Sequence, residues 1–128
     1  IRPDHVVYGA VMNAYAEIGD AKRAEDILTE MFVDFRSGNK AAKPKVYSFN
    51  IILKAWSRSR APDSPERAEL TIGRMIELFK NQGYNTKPNR VSYSTVIECW
   101  AFSKRKGAAE RSEAFLREMI SCYKAGDT

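Results

Sequence analysis

The sequence predicts an all-α fold: a segment of α-solenoid built from stacked antiparallel helix hairpins. Three observations carry the prediction: a two-part internal repeat, apolar residues at helical spacing in both parts, and length changes confined to the joints. The strings KRAEDILTEM, ERAELTIGRM and ERSEAFLREM end at Met31, Met75 and Met119, spaced 44 residues apart. Upstream of each lies a second related string: VYGAVMNAY, YSFNIILKAW and SYSTVIECW. Each holds two aromatics seven residues apart, Tyr8 and Tyr15, Phe49 and Trp56, Tyr93 and Trp100.

The first part of each copy reads as an amphipathic helix, with apolar residues at i, i+3, i+4 and i+7. These are Tyr8, Val11, Met12 and Tyr15, then Phe49, Ile52, Leu53 and Trp56, then Tyr93, Val96, Ile97 and Trp100. The second part follows the same rule through Ala24, Ile27, Leu28 and Met31. Copy two gives Ala68, Thr71, Ile72 and Met75, extended by Leu78 and Phe79, and copy three gives Ser112, Phe115, Leu116 and Met119. The small residue leading each second stripe lets two helices approach closely.

Start signals agree with this division. Asp20 precedes the first second-part helix, Ser64 is an expected N-cap with Pro65 at the first helical position, and Gly107 precedes the third. Pro3, Pro44 and Pro88 fall just before the three first-part helices, where proline ends the preceding segment. RSGNKAAKPK and NQGYNTKPN are loops by composition. The turns around RSRAPD and SKRKG are three residues longer than the corresponding turn of copy one.

Composition narrows the chemistry. The 128 residues are 44% hydrophobic and 29% charged, the balance of a soluble globular chain. No apolar run approaches the ~18 residues of a membrane span, and no signal-peptide pattern opens the chain. Cys99 and Cys122 form no motif, so neither a disulfide nor a metal site is expected, and a reducing compartment is the default. His5 is the only histidine, and the sequence contains neither GxGxxG nor a P-loop. Ser-His-Asp, Cys-His and multi-histidine metal sites would need partners this chain lacks. The expectation is a protein without catalysis, cofactor or small-molecule substrate. The net charge of +5 is compatible with a phosphate-bearing partner.

With both parts in view, each unit resembles the pentatricopeptide repeat, whose pattern runs V-x-Y-N-x-L-I, then A-x-x-L-F-x-E-M, then K-P-D. VVYGAVMNAY, VYSFNIILKAW and RVSYSTVIECW match the first helix, RAEDILTEM and RSEAFLREM the second, and RPD, KPK and KPN the close. The resemblance spans essentially the whole chain. It implies a right-handed solenoid with units at 5–45, 46–89 and 90–128, the last incomplete, and residues 1–4 closing a preceding unit. Units of 41 and 44 residues exceed the family's usual length of roughly 35.

The family binds single-stranded RNA, about one base per repeat, so the resemblance also implies a set of site residues. Base reading falls to the fifth and last residues of a unit, and a second-position side chain wedges between bases. Copy one then offers Gly9 with Lys45, wedged by Val6. Copy two offers Asn50 with Asn89, wedged by Tyr47, and copy three offers Ser94 with Val91 as wedge. An amide both donates and accepts, so Asn50 can meet a base edge, whereas Gly9 has no side chain to do so. Asn50 with Asn89 implies a pyrimidine, more often cytosine, and Ser94 a purine.

Lys54, Arg58 and Arg60, with Lys104, Arg105 and Lys106, are candidates for phosphate contact. Plainer roles stand beside these: Asn89 directly precedes a helix and suits an N-cap, KRK suits a solvated turn, and Tyr47 suits an exposed or packed aromatic unrelated to RNA. Net charge by copy is zero, +3 and +2, and RNA binding predicts that the excess lies along the first-helix face. The competing function is a helical scaffold that holds a protein, within a ribonucleoprotein for example. Most of the family acts in mitochondria or plastids, which is the implied location; any transit peptide would lie upstream of Ile1.

Overall fold

The computed structural model describes residues 1–126, so the last two residues of the third expected unit lie outside the described residues. Six α-helices follow in order: α1 His5–Glu17, α2 Ala21–Arg36, α3 Val46–Ser59, α4 Ser64–Gln82, α5 Arg90–Ser103 and α6 Ala108–Lys124. Among the described residues there is no strand, and one 3-10 turn, Lys40–Ala42, interrupts the first long loop.

Local chemistry fixes the ends. Asp4 caps α1 by accepting from the Val7 N–H at 3.0 Å, and Asp20 caps α2 through the Arg23 N–H at 3.2 Å. At α4 the helix starts one residue earlier than expected. Asp63 takes the cap position, and Ser64 is buried inside the first turn with its hydroxyl 2.7 Å from that of Ser59. Pro65, which has no N–H to leave unsatisfied, fits that first turn. Gly83 ends α4 with φ +71°, a conformation that costs a residue without Cβ little.

The helices pack in three sequential pairs, α1 with α2, α3 with α4, and α5 with α6. First helices lie side by side, α1 on α3 and α3 on α5, and α2 and α4 each pack on the first helix of the next pair. The backbones of α2 and α4 do not approach each other. Arg74 of α4 bridges that gap, its guanidinium 5.0 Å from the Phe32 ring centre and 5.6 Å from that of Phe49. The buried set is one continuous cluster running from Met12 to Phe115.

Paired polar contacts recur with the repeat. The Trp56 indole N–H donates to Glu25 at 2.8 Å, and 44 residues on, that of Trp100 donates to Glu69 at 2.6 Å. Each indole thus buries its ring and satisfies its one polar atom on the neighbouring second helix. Tyr8 donates to Asp34 at 2.8 Å, and Tyr93 to Glu118 at 3.2 Å, tying first helices to second ones.

Three residues of the expected core stripes are exposed instead. Val11 is 42% exposed, although Ile52 and Val96 at the same helical step are 1% and 0% exposed. α2 and α4 lie against α3 and α5, whereas no described helix precedes α1 to cover Val11. Leu116 is 41% exposed for the mirror reason: α3 packs on α2 and α5 on α4, burying Leu28 and Ile72, but no described helix follows α6. Phe79 is exposed at the end of α4, with the Lys87 ammonium 5.8 Å from its ring centre. Cys99 and Cys122 are both free thiols, and burial pushes Cys99 up to about 11. Among the described residues, no helix is long and apolar enough to cross a membrane.

Candidate nucleic-acid interface

Side-by-side first helices leave a groove of about 530 Å³ over α3, reaching onto α1 and α5. Its walls include both of the expected wedges that flank unit two, Tyr47 of α3 and Val91 of α5, which are 62% and 53% exposed. Between them lie the half-buried amides of Asn50 and Asn89. The fold brings these two together across 39 residues of sequence, Asn50 Nδ2 donating to Asn89 Oδ1 at 3.3 Å.

Asn89 also caps α5, as the plainer reading has it. Its Oδ1 accepts from the Ser92 N–H at 3.1 Å, and its own N–H donates to the Ser92 hydroxyl at 3.1 Å. The Ser92 hydroxyl in turn donates to Asn50 Oδ1 at 2.6 Å. Capping and groove lining therefore coexist in one side chain.

Unit one is different. Gly9 is buried, and a Cβ on it would stand 3.4 Å from Cε1 of Tyr47, so the tyrosine ring covers the place where a reading side chain would project. Lys45 is exposed at the start of α3 and takes no part in capping through its ammonium, which has no lone pair; the Ser48 hydroxyl accepts its N–H at 3.2 Å. Gly9 and Lys45 therefore form no side-chain pair like that of Asn50 and Asn89. Val6 is exposed on α1, and Ser94 is half-buried on α5.

The expected phosphate contacts divide. Lys54 donates to Asn13 and to Glu17 of α1, both at 2.6 Å, and Arg58 reaches the same Glu17 at 2.7 Å. Hydrogen bonding from Lys54, then the charge of Arg58, holds the Glu17 carboxyl below its usual range. Arg105 lies away from the groove, paired with Glu66 and 5.1 Å from the Trp100 ring centre. Arg60, Lys104 and Lys106 are exposed near the ends of α3 and α5, without an ion pair among the described residues. The groove walls carry Lys54 and Arg58 against Glu98. The positive excess expected along the first-helix face is not concentrated there. It lies in the loops, at Lys40, Lys43, Lys45, Arg60 and Lys104 to Lys106, while the second helices balance their bases with acids and set Arg36, Arg67, Arg74 and Arg111 over aromatic rings.

Ser92 and Glu17 escaped the sequence reading. The signal for Ser92 was its place three residues after Asn89, the spacing of a reciprocal cap. Glu17 carried none, because its partners are 37 and 41 residues away.

Helices paired in sequence, with polar pairs between neighbouring first helices, define an all-helical repeat protein. Residues 1–58 match the family model of the pentatricopeptide repeat domain, consistent with a protein of that family. The family consists generally of RNA-binding helical repeats and is generally non-enzymatic. No curated protein and no solved structure matches the chain.

Proposed function

We propose that this chain is a right-handed α-solenoid segment of three pentatricopeptide units that binds single-stranded RNA, about one base per unit, in the RNA metabolism of a mitochondrion or plastid. One observation carries the reading. In unit two a groove is flanked by Tyr47 and Val91 and floored by the Asn50 and Asn89 amides, so a base can stack against apolar walls while its edge meets hydrogen-bonding groups. Asn50 and Asn89 read the base there. Unit three contributes Ser94, and unit one, with Gly9 under Tyr47, reads little.

A second reading, a scaffold for a protein partner, is favoured by the groove's near balance of charge, Lys54 and Arg58 being held by Glu17. Titration with single-stranded RNA at several salt concentrations separates the two. The RNA reading expects binding that weakens with salt and exceeds binding to duplex RNA of the same length. Equal, weak binding to both at low salt would favour the scaffold.

A further inference from the structure

The hydrogen bonds around Asn50 fix more than its position. A backbone N–H can only donate, so the Asn89 side-chain atom facing the Ser92 N–H at 3.1 Å must be its oxygen. The Asn50 atom 3.3 Å from that oxygen must then be the amide nitrogen, which turns Asn50 Oδ1 toward Ser92. There the Ser92 hydroxyl, wholly buried, gives its single hydrogen to Asn50 Oδ1 at 2.6 Å, the nearer of its two acceptors. Its lone pairs are free to accept the Asn89 N–H at 3.1 Å. The backbone donor therefore fixes the Asn89 amide, while the Asn50 amide is held by two bonds, the longer 3.3 Å one to Asn89 and the shorter 2.6 Å one from the Ser92 hydroxyl. The Asn50 and Asn89 oxygens are each engaged, while Asn89 Nδ2 has no partner among the described residues.

We infer that Ser92 is a positioning residue for base recognition in unit two: its buried hydroxyl locks the Asn50 amide so that the groove presents N–H donors to an acceptor-rich base edge. The inference rests on the RNA reading of this groove. It adds that the third residue of α5, which faces no base, sets the polarity of a site on α3. Without that hydroxyl only the 3.3 Å bond to Asn89 holds the Asn50 amide, which loosens and offers its oxygen part of the time, so discrimination between bases falls while stacking is kept.

Two measurements test it, one of them free of RNA. In the unliganded protein, the two Asn50 side-chain amide protons should resonate well away from the positions of an exposed amide by NMR. Ser92→Ala should move each toward its exposed-amide position, and Ser92→Thr, which keeps the hydroxyl, should not. With short single-stranded RNAs differing at one base, Ser92→Ala should reduce the preference at that position about fivefold, the worth of one net hydrogen bond. The salt dependence should stay unchanged, and Ser92→Thr should restore the preference. Unmoved Asn50 signals, or a preference retained in Ser92→Ala, would overturn the role of Ser92 alone. A wild-type protein with displaced Asn50 signals but no base preference at all would overturn the RNA reading and this role with it.

Discussion

Asn50 stands in an otherwise apolar stretch of α3, and its neighbours explain why an amide is stable there. Phe49, Ile52, Leu53 and Trp56 form the buried stripe, and Asn50 lies one step off it, about 100° round the helix. Half-buried polar groups must find partners, and Ser92 and Asn89 supply them. The step was legible in the sequence because Gly9 and Ser94 occupy it in the other copies. The network was not, since a serine three residues into a helix reads as a purely local cap. At this scale the core is the firmest ground for a test. Trp56→Ala should cost about 3–5 kcal/mol in urea denaturation, the usual cost of truncating a buried aromatic. A loss near the ±0.5 kcal/mol or so of surface substitutions would mean that the stripe is misassigned.

Between elements, pairs of polar groups set the geometry, and their titration is measurable. Hydrogen bonds from Asn39, then Tyr8 and Arg2, hold the Asp34 carboxyl below its ordinary value of 3.8. Burial, then the bond to Asp34, raises the Tyr8 phenol from 10.0 to about 12. A depressed acid stabilises the fold fully above its unfolded value and loses that contribution as pH falls through the folded one. A raised phenol stabilises fully below 10.0 and loses its contribution as pH climbs toward about 12. The stability gap between wild type and Tyr8→Phe should therefore be widest between these limits and narrow on both sides. A gap constant from strong acid to strong base would show that the bond between α1 and α2 adds nothing.

Glu17 poses the other test between elements. Glu17→Gln should free Lys54 and Arg58 for phosphate, steepening the salt dependence of RNA binding by about 0.7–1.4 in the log–log slope. An unchanged slope would remove both from the phosphate-contact set. Helix periods and caps made the elements themselves readable, with the start of α4 displaced by one residue because Ser64 serves the interior.

Across the whole molecule, burial depends on what lies next along the stack. Leu28 and Leu116 share one step of their helices, yet one is 2% exposed and the other 41%. Leu28→Ala should cost about 2–5 kcal/mol, and Leu116→Ala well under that, although a periodicity argument ranks them equally. Comparable losses would mean that Leu116 is covered in solution. Periodicity shows which face of a helix is apolar; it cannot show whether a neighbour exists to cover it. The distribution of charge was illegible for a similar reason. Net charge by copy adds up residues whose partners stand about 40 positions away, so Lys54 and Arg58 counted as free when Glu17 holds both.

The central claim is that unit two reads a base through Asn50. Its most direct test is selection from a randomised pool of single-stranded RNA by the wild-type protein and by Asn50→Ala. The wild type should enrich a pyrimidine at one position, and Asn50→Ala should lose that enrichment there while binding remains. The same enrichment with both proteins would contradict the role given to Asn50 and leave the groove without a reader.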